Sequence, residues 1–246
     1  MIDQTIGLTE KDLDKKIYRI FNKKRFYEIF DNNELVLVRP KRWEDPFENF
    51  LMNCTYKDNQ GNLFGIGFRE NYYGQCWTEQ VESDAMWRIY AEKKDGFKVQ
   101  TTIRKLYEAL FSQLKGLPTL TTFIGRVSYL KKKQIQDLLN DPVKIKELIT
   151  SQSGKGIAET LLFKKKPFKH EKEIRIIHGV SERRESDFFK FKVNPNKLFD
   201  AITIDPRMKY DDFRANKNKI KTYGFNKSII QSKLYRVKFQ IIKIDL

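Results

Sequence analysis

The sequence predicts an α+β fold, a single domain over residues 1–246 with a largely antiparallel central sheet and flanking helices. Three observations predict it. Short β-prone runs are separated by helical stretches without strict β-α-β alternation. The C-terminal third is dense in strands. No repeat period, no Pro- or Ser-rich linker and no long block of one charge divides the 246 residues, a length for one large domain or two small ones.

Residues 16–20 alternate weakly as a short strand, and residues 22–30 follow as a helix with Phe26, Ile29 and Phe30 on one face. Asp31, Asn32 and Asn33 break it. Residues 34–38 form a β-prone run ended at Arg39-Pro40, because the residue before a proline avoids helical geometry. Past a turn-rich segment from Trp43 to Glu48, residues 74–78 resemble the end of a buried strand. Residues 83–93 then read as a helix with Ser83 as N-cap, closed by Gly96. A strand over 97–103, a helix over 105–114 and a strand over 125–130 come next, then helices over 131–140, 143–150 and 155–163. The last strands fall at 173–179, 188–193, 201–204 and 234–244, with a helix over 211–221.

Apolar residues make up 40% and aromatics 13%, enough for a real core, which excludes global disorder. No apolar run approaches the roughly 18 to 20 residues needed to cross a bilayer. The first thirty residues carry acids and bases throughout, so neither a secretory signal nor a membrane partner is expected. Cys54 and Cys76 form no C-x-x-C pair, and His170 and His178 are the only histidines. A disulfide framework and a metal site are therefore not expected, and a reducing cytoplasm is. Acid–base chemistry must rest on carboxylates, Tyr or Lys. Lys and Arg total 48 against 32 Asp and Glu, a net charge of +16 that attracts polyanions, nucleic acid first among them. The bland alternative is the lysine-rich composition of an AT-rich genome. Lys131, Lys132 and Lys133, and Lys164, Lys165 and Lys166, are candidate phosphate contacts, although lysine triplets are usually solvated faces.

Three clusters combine charge with apolar surroundings. Arg19 ends the first strand, where its fork of donors suits a phosphate or carboxylate. The segments around Asp45 and around Cys76 to Tyr90 hold Trp and Tyr that can stack on a base, with Thr and acids that can bond ribose or amide groups. Core packing explains the same aromatics, since Met86 and Tyr90, and Trp87 and Ala91, are four apart. On a strand, Glu171 and Glu173 would share a face with Arg175. Two adjacent carboxylates resist ionising together, so one has a raised pKa or both need a cation or hydroxyl.

In order and content these pieces resemble a widespread bacterial family, a domain of unknown function (DUF2971-like). The resemblance lies in Tyr18-Arg19, Trp43-x-Asp45-Pro46-Phe47-Glu48, Cys76-Trp77-Thr78-Glu79, Met86-Trp87-x-x-Tyr90-Ala91 and Glu171-x-Glu173-x-Arg175. An early arginine, a hydroxyl on a central strand and a late E-x-E are in turn similar to the R-S-E pattern of ADP-ribosyltransferases, including phage-defence toxins that modify nucleic acid. That resemblance implies an ADP-ribosyltransferase-like fold and NAD as substrate. Arg19 would hold NAD near its phosphate or ribose, Thr78 would stand at the hydroxyl position, Trp87 or Tyr90 would stack on nicotinamide, and Asp45 would bond the cofactor. Glu173 would bond the nicotinamide ribose 2′-hydroxyl and stabilise the oxocarbenium-like charge; Glu171 would orient or deprotonate the acceptor, RNA more than DNA. An antitoxin and a chaperone are implied partners. Two readings compete: a metal-dependent nuclease in which Asp45, Glu48, Glu171 and Glu173 gather Mg²⁺, and a nucleic-acid-binding module without catalysis.

Overall fold

Residues Lys16–Phe21 form a strand through their ladder with Phe97–Thr102 and the Tyr18–Thr78 pairing, and its place between those two strands organises the molecule. The computed structural model describes residues 2–67, 69–114, 122–151 and 153–237. Among them runs a ten-stranded sheet whose main path is Thr5–Ile6, Thr122–Arg126, Glu173–Gly179, Tyr72–Thr78, Lys16–Phe21, Phe97–Thr102, Ala201–Ile204 and Ser228–Gln231. Glu34–Val38 pairs with both Tyr72–Thr78 and Phe188–Lys192. The outermost pair at each end is parallel and every other pairing is antiparallel, so the sheet is largely antiparallel.

Both faces are covered. Ile174 and Ile176 belong to one apolar cluster and Ile177 to another, as period-two geometry requires of a strand buried on both sides. On the first face, helix Lys23–Asn32 lays Phe26 flat on Phe97 of the sheet, with centroids 4.2 Å apart and planes at 11°. Asn22 caps that helix by accepting from Arg25 N, and Asn33 ends it in the left-handed region at φ 52°. On the second face, helix Lys155–Thr160 packs Ile157 and Ala158 near Phe123 and Ile177. It crosses close to helix Pro142–Ile149 at Gly156, where an added Cβ would stand 2.3 Å from the Leu148 carbonyl oxygen. Backbone cannot yield there, so Gly156→Ala is expected to lower stability by roughly 1–3 kcal/mol. Thermal melting checks this against Gly65→Ala, whose Cβ would meet nothing within 4 Å and is expected to leave Tm unchanged.

Five expectations are corrected. The strand expected over 125–130 is two: Thr122–Arg126 stays in the main sheet, whereas Ser128–Leu130 leaves it to pair in parallel with Phe163–Lys165. Val127 makes the turn, its N–H donating to the Glu173 carbonyl at 3.0 Å. The helices expected over 83–93 and 155–163 stop at Tyr90 and Thr160. Glu171 lies not on the strand of Glu173 but in the 3-10 turn Lys166–Glu171, since Lys172 at φ 45° breaks the extended run between them. The last described strand is Ser228–Gln231, too polar at its ends to stand out in sequence, and residues 234–237 lie beyond it in a turn. The remainder of that expected strand, residues 238–244, lies outside the described residues.

Candidate active site

Three adjacent strands meet at one end of the sheet centre, Lys16–Phe21, Tyr72–Thr78 and Glu173–Gly179, with Thr78 in register with both Tyr18 and Glu173. From the first strand, Arg19 donates through Nη1 to the Cys76 carbonyl, while its Nε is buried without a partner among the described residues. Burial pulls the Arg19 pKa below its ordinary value, and Cys76, Tyr90 and Glu173 are the neighbours that oppose the shift. An arginine stays cationic through such a shift, so an unsatisfied donor of positive charge faces the site.

Across the central strand, Lys164, Glu48, Glu171 and Glu173 are 5%, 6%, 6% and 4% exposed, and all three acids reach one ammonium. Lys164 Nζ stands 2.9 Å from Glu48 Oε1 and 3.2 Å from Glu173 Oε1, and it donates to Glu171 Oε2. Arg175 forks onto Glu173 Oε2 through Nε at 2.8 Å and Nη2 at 2.5 Å. Its Nη2 also meets Glu48 Oε2 at 3.1 Å, and the guanidinium lies 4.6 Å from the Trp43 ring centroid. The Tyr129 hydroxyl accepts from Glu173 N at 2.8 Å. Burial raises the Glu171 pKa, and Lys164 offsets that only partly. Burial works on Glu173 in the same sense, but Arg175 and Lys164 outweigh it and hold Glu173 below the usual carboxylate range. Two carboxylates sharing one ammonium are thus split: one stays ionised and the other takes a proton readily.

Thr78 does not offer a free hydroxyl. Its Oγ1 donates to the Glu171 carbonyl and accepts from Gln80 N at 2.9 Å, pinning the 3-10 turn to the central strand. Helix Asp84–Tyr90, capped by Ser83 as expected, turns Trp87 and Tyr90 different ways. Trp87 is fully buried and donates from Nε1 to Glu82 at 2.9 Å, so the core-packing reading accounts for it. Tyr90 is 41% exposed, and Glu171, Cys76 and Glu173 are among its electrostatic neighbours. Asp45 caps the Pro46–Asn49 turn by accepting from Phe47 N, leaving Oδ2 buried without a partner among the described residues.

Residues 86–176 match the family described as Protein of unknown function (DUF2971). That span holds the Met86-Trp87-x-x-Tyr90 and Glu171-x-Glu173-x-Arg175 pieces; the Tyr18-Arg19 and Asp45-Pro46-Phe47-Glu48 pieces precede it. A protein of Mycoplasmopsis synoviae (strain 53) named deoxyribose-phosphate aldolase is 27% identical over 171 residues, 63% of this chain and 75% of that one. Among solved structures, Thermus sp. 2.9 DarT in complex with NAD+ aligns at 11% identity, covering 89% of this chain and 96% of that one, with a TM-score of 0.41. The same protein in complex with ADP-ribosylated ssDNA aligns at 11% identity over 89% and 95%, also with a TM-score of 0.41.

Within the DUF2971 span, the expectation for Lys164 is corrected. It is no surface phosphate contact but the buried counter-ion of three acids. Nothing in a run of three lysines marks the middle strand residue as inward, because Phe163 and Lys164 are both buried and alternation fails there. Glu48 entered the sequence reading through its motif and as one of four acids of the nuclease alternative; the structure brings it to Glu171 and Glu173 on Lys164, whereas Tyr129 carried no signal. Lys98 was also missed: it is buried, donates to the Val81 carbonyl at 2.6 Å, and lines a small hollow with Tyr18, Thr78, Glu82 and Trp87. Burial lowers its pKa, outweighing Glu82.

Proposed function

We propose that this chain is an NAD-dependent ADP-ribosyltransferase of nucleic acid, RNA more than DNA, working as one ADP-ribosyltransferase-like domain over residues 1–246. The observation that carries the reading is the opposite split of Glu171 and Glu173 on one ammonium, two strands from a buried arginine with a free donor. Glycosidic cleavage with transfer needs one carboxylate that stays charged beside a developing cation and one that takes up a proton.

Arg19 holds the NAD phosphate or ribose through its unsatisfied Nε. Tyr90, at the edge of the site, stacks on nicotinamide, while buried Trp87 backs the wall. Asp45 bonds the cofactor through its unpartnered Oδ2, and Thr78 positions Glu171 through the turn carbonyl. Glu173 accepts from the ribose 2′-hydroxyl and faces C1′. The C1′–N bond breaks with its electron pair on nicotinamide, an acceptor nitrogen or oxygen forms the new bond to C1′, and its proton passes to Glu171. A toxin of this kind in phage defence works in the cytoplasm and needs an antitoxin, with a chaperone as a further partner. A metal-dependent nuclease fits less well, because Lys164 and Arg175 already supply the positive charge that a metal ion would bring to Glu48, Glu171 and Glu173.

The test incubates the protein with NAD labelled in the adenosine half and, separately, with total RNA, DNA and lysate protein. Label on RNA or DNA is the expected result. Intact NAD in all three mixtures overturns the reading.

Lys98 favours a second reading. A buried amine with a lowered pKa is the nucleophile that an aldolase of the imine-forming class requires. Under that reading, a sugar-phosphate aldehyde and borohydride leave a covalent adduct on Lys98, seen by peptide mass spectrometry and absent in Lys98→Met. An unmodified Lys98 peptide sinks it.

A further inference from the structure

Between Lys164 and Glu173 the chain sorts its charges by direction. Lys164, Glu171 and Glu173 point inward and are buried, whereas Lys165, Lys166, Lys169, His170 and Lys172 are exposed. The parallel pairing of Ser128–Leu130 with Phe163–Lys165 ends with Leu130 beside Lys165. The chain therefore brings Lys131 and Lys132, both exposed, alongside Lys165 and Lys166. Two lysine runs more than thirty residues apart become one ridge, and the ridge runs straight into the turn that carries Glu171. Lys165 sits 5.1 Å from the Phe47 ring centroid, and none of Lys131, Lys132, Lys165, Lys166, Lys169 and Lys172 has a carboxylate partner among the described residues. Some cations on other faces do, such as Arg104 with Glu10 and Asp14 or Lys41 with Asp187, whereas Lys209, Lys219, Lys221 and Lys233 do not among the described residues, so what sets the ridge apart is its course into the Glu171 turn.

We infer that this ridge is the docking track for a single-stranded nucleic acid, which it feeds toward Glu171. The inference rests on the transferase reading for what happens at the end of the track and for the choice of a single strand, but not for the contact of the lysines with phosphates. Unpaired lysines in a row neutralise successive phosphates and release their counterions on binding. A single strand fits and a duplex does not, because Glu171 and Glu173 lie within the wall and an acceptor base must leave its stack to reach them.

The experiment measures binding of a fluorescent twelve-nucleotide RNA, the same DNA strand and the matching DNA duplex across a salt series, without NAD. Four proteins are compared: the parent, a ridge variant with Lys131, Lys132, Lys166 and Lys169 changed to Ala, the same ridge variant with Arg in place of Ala, and a variant with Lys209, Lys219, Lys221 and Lys233 changed to Ala at the far edge of the sheet. The ridge variant is expected to bind either single strand about tenfold or more weakly, with a log–log salt slope flatter by about 0.7 per contact removed. The far-edge variant is expected to bind as the parent does, and changing the four ridge lysines to Arg restores affinity. Unchanged binding by the ridge variant, or equal losses in both variants, overturns the proposal. Duplex bound as tightly as single strand, with the same ridge dependence, overturns its single-strand part. Ridge-dependent binding by a protein that never consumes NAD upholds the track and removes the transferase reading alone.

Discussion

Lys164→Met is expected to destabilise the fold by about 3–5 kcal/mol at neutral pH, the cost of removing one partner from a buried charge network. The methionine fits the volume of the lysine stem, so packing alone predicts little. Charge decides the outcome. Without the ammonium, Glu48, Glu171 and Glu173 face one another with Arg175 as the main remaining cation, all buried. The lysine is now held far above its ordinary pKa: burial opposes its charge, but Glu173, Glu171 and Glu48 outweigh that burial. Removing it leaves burial less opposed at Glu171 and Glu173, so the folded pKa of Glu173 rises and that of Glu171, already raised, rises further. A group with a raised folded pKa contributes stability that is present at low pH and is lost as pH rises through its folded value. The deficit of Lys164→Met against the parent is therefore expected to shrink on going from pH 8 to pH 5, as the acids take up protons. Urea midpoints at the two pH values read it out. A deficit that is equal at both, or below about 1 kcal/mol at pH 8, means the acids do not depend on this ammonium.

The same lysine shows where sequence reasoning stops. Periodicity located most elements because each presents one buried face: Phe26, Ile29 and Phe30 mark the helix Lys23–Asn32, and the apolar run of Glu173–Gly179 marks a strand buried on both sides. The motif pieces pointed to Arg19, Glu171 and Glu173, and the sheet sets Arg19 and Glu173 on strands flanking Tyr72–Thr78. Which side chain is neutralised by which is a matter of strands distant in sequence, and it escapes local patterns. Lys164 reads as the first of three solvated lysines, and the Asp45-Pro46-Phe47-Glu48 turn gives no hint that Glu48 bridges Lys164 and Arg175. Thr78 reads as a hydroxyl for a ligand, yet its hydrogen bonds go to the backbone at Glu171 and Gln80. Irregular backbone is equally silent: Lys172 in the left-handed region takes Glu171 off the strand while leaving it on the same ammonium as Glu173.

Glu173→Gln and Glu171→Gln are expected to separate cleavage from transfer. Both substitutions keep the side-chain shape but take a charge from the same buried network as Lys164→Met, so lowered melting temperatures are expected, and each variant is assayed well below its own melting temperature. Under the transferase reading, the loss of charge at Glu173 removes the group opposite developing positive charge at C1′, an effect worth about 10²–10³ in rate for one electrostatic contact. Nicotinamide release is expected to fall by that factor whether water or a nucleic acid strand is the acceptor. At Glu171 the lost function is proton uptake from the acceptor, worth about 10²–10⁴. Transfer to the strand falls by that factor, while slow cleavage to water persists, because the charge at Glu173 is still in place. The pH dependence gives the sign independently. Glu171 works as a base only when ionised, and burial raises its pKa, so transfer by the parent falls as pH drops through a value above the usual glutamate range. In Glu171→Gln that limb disappears and the residual activity is flat over the same interval. Equal loss of cleavage and transfer in both variants would mean the two carboxylates act as one structural unit, and the division of labour between them would have to be abandoned.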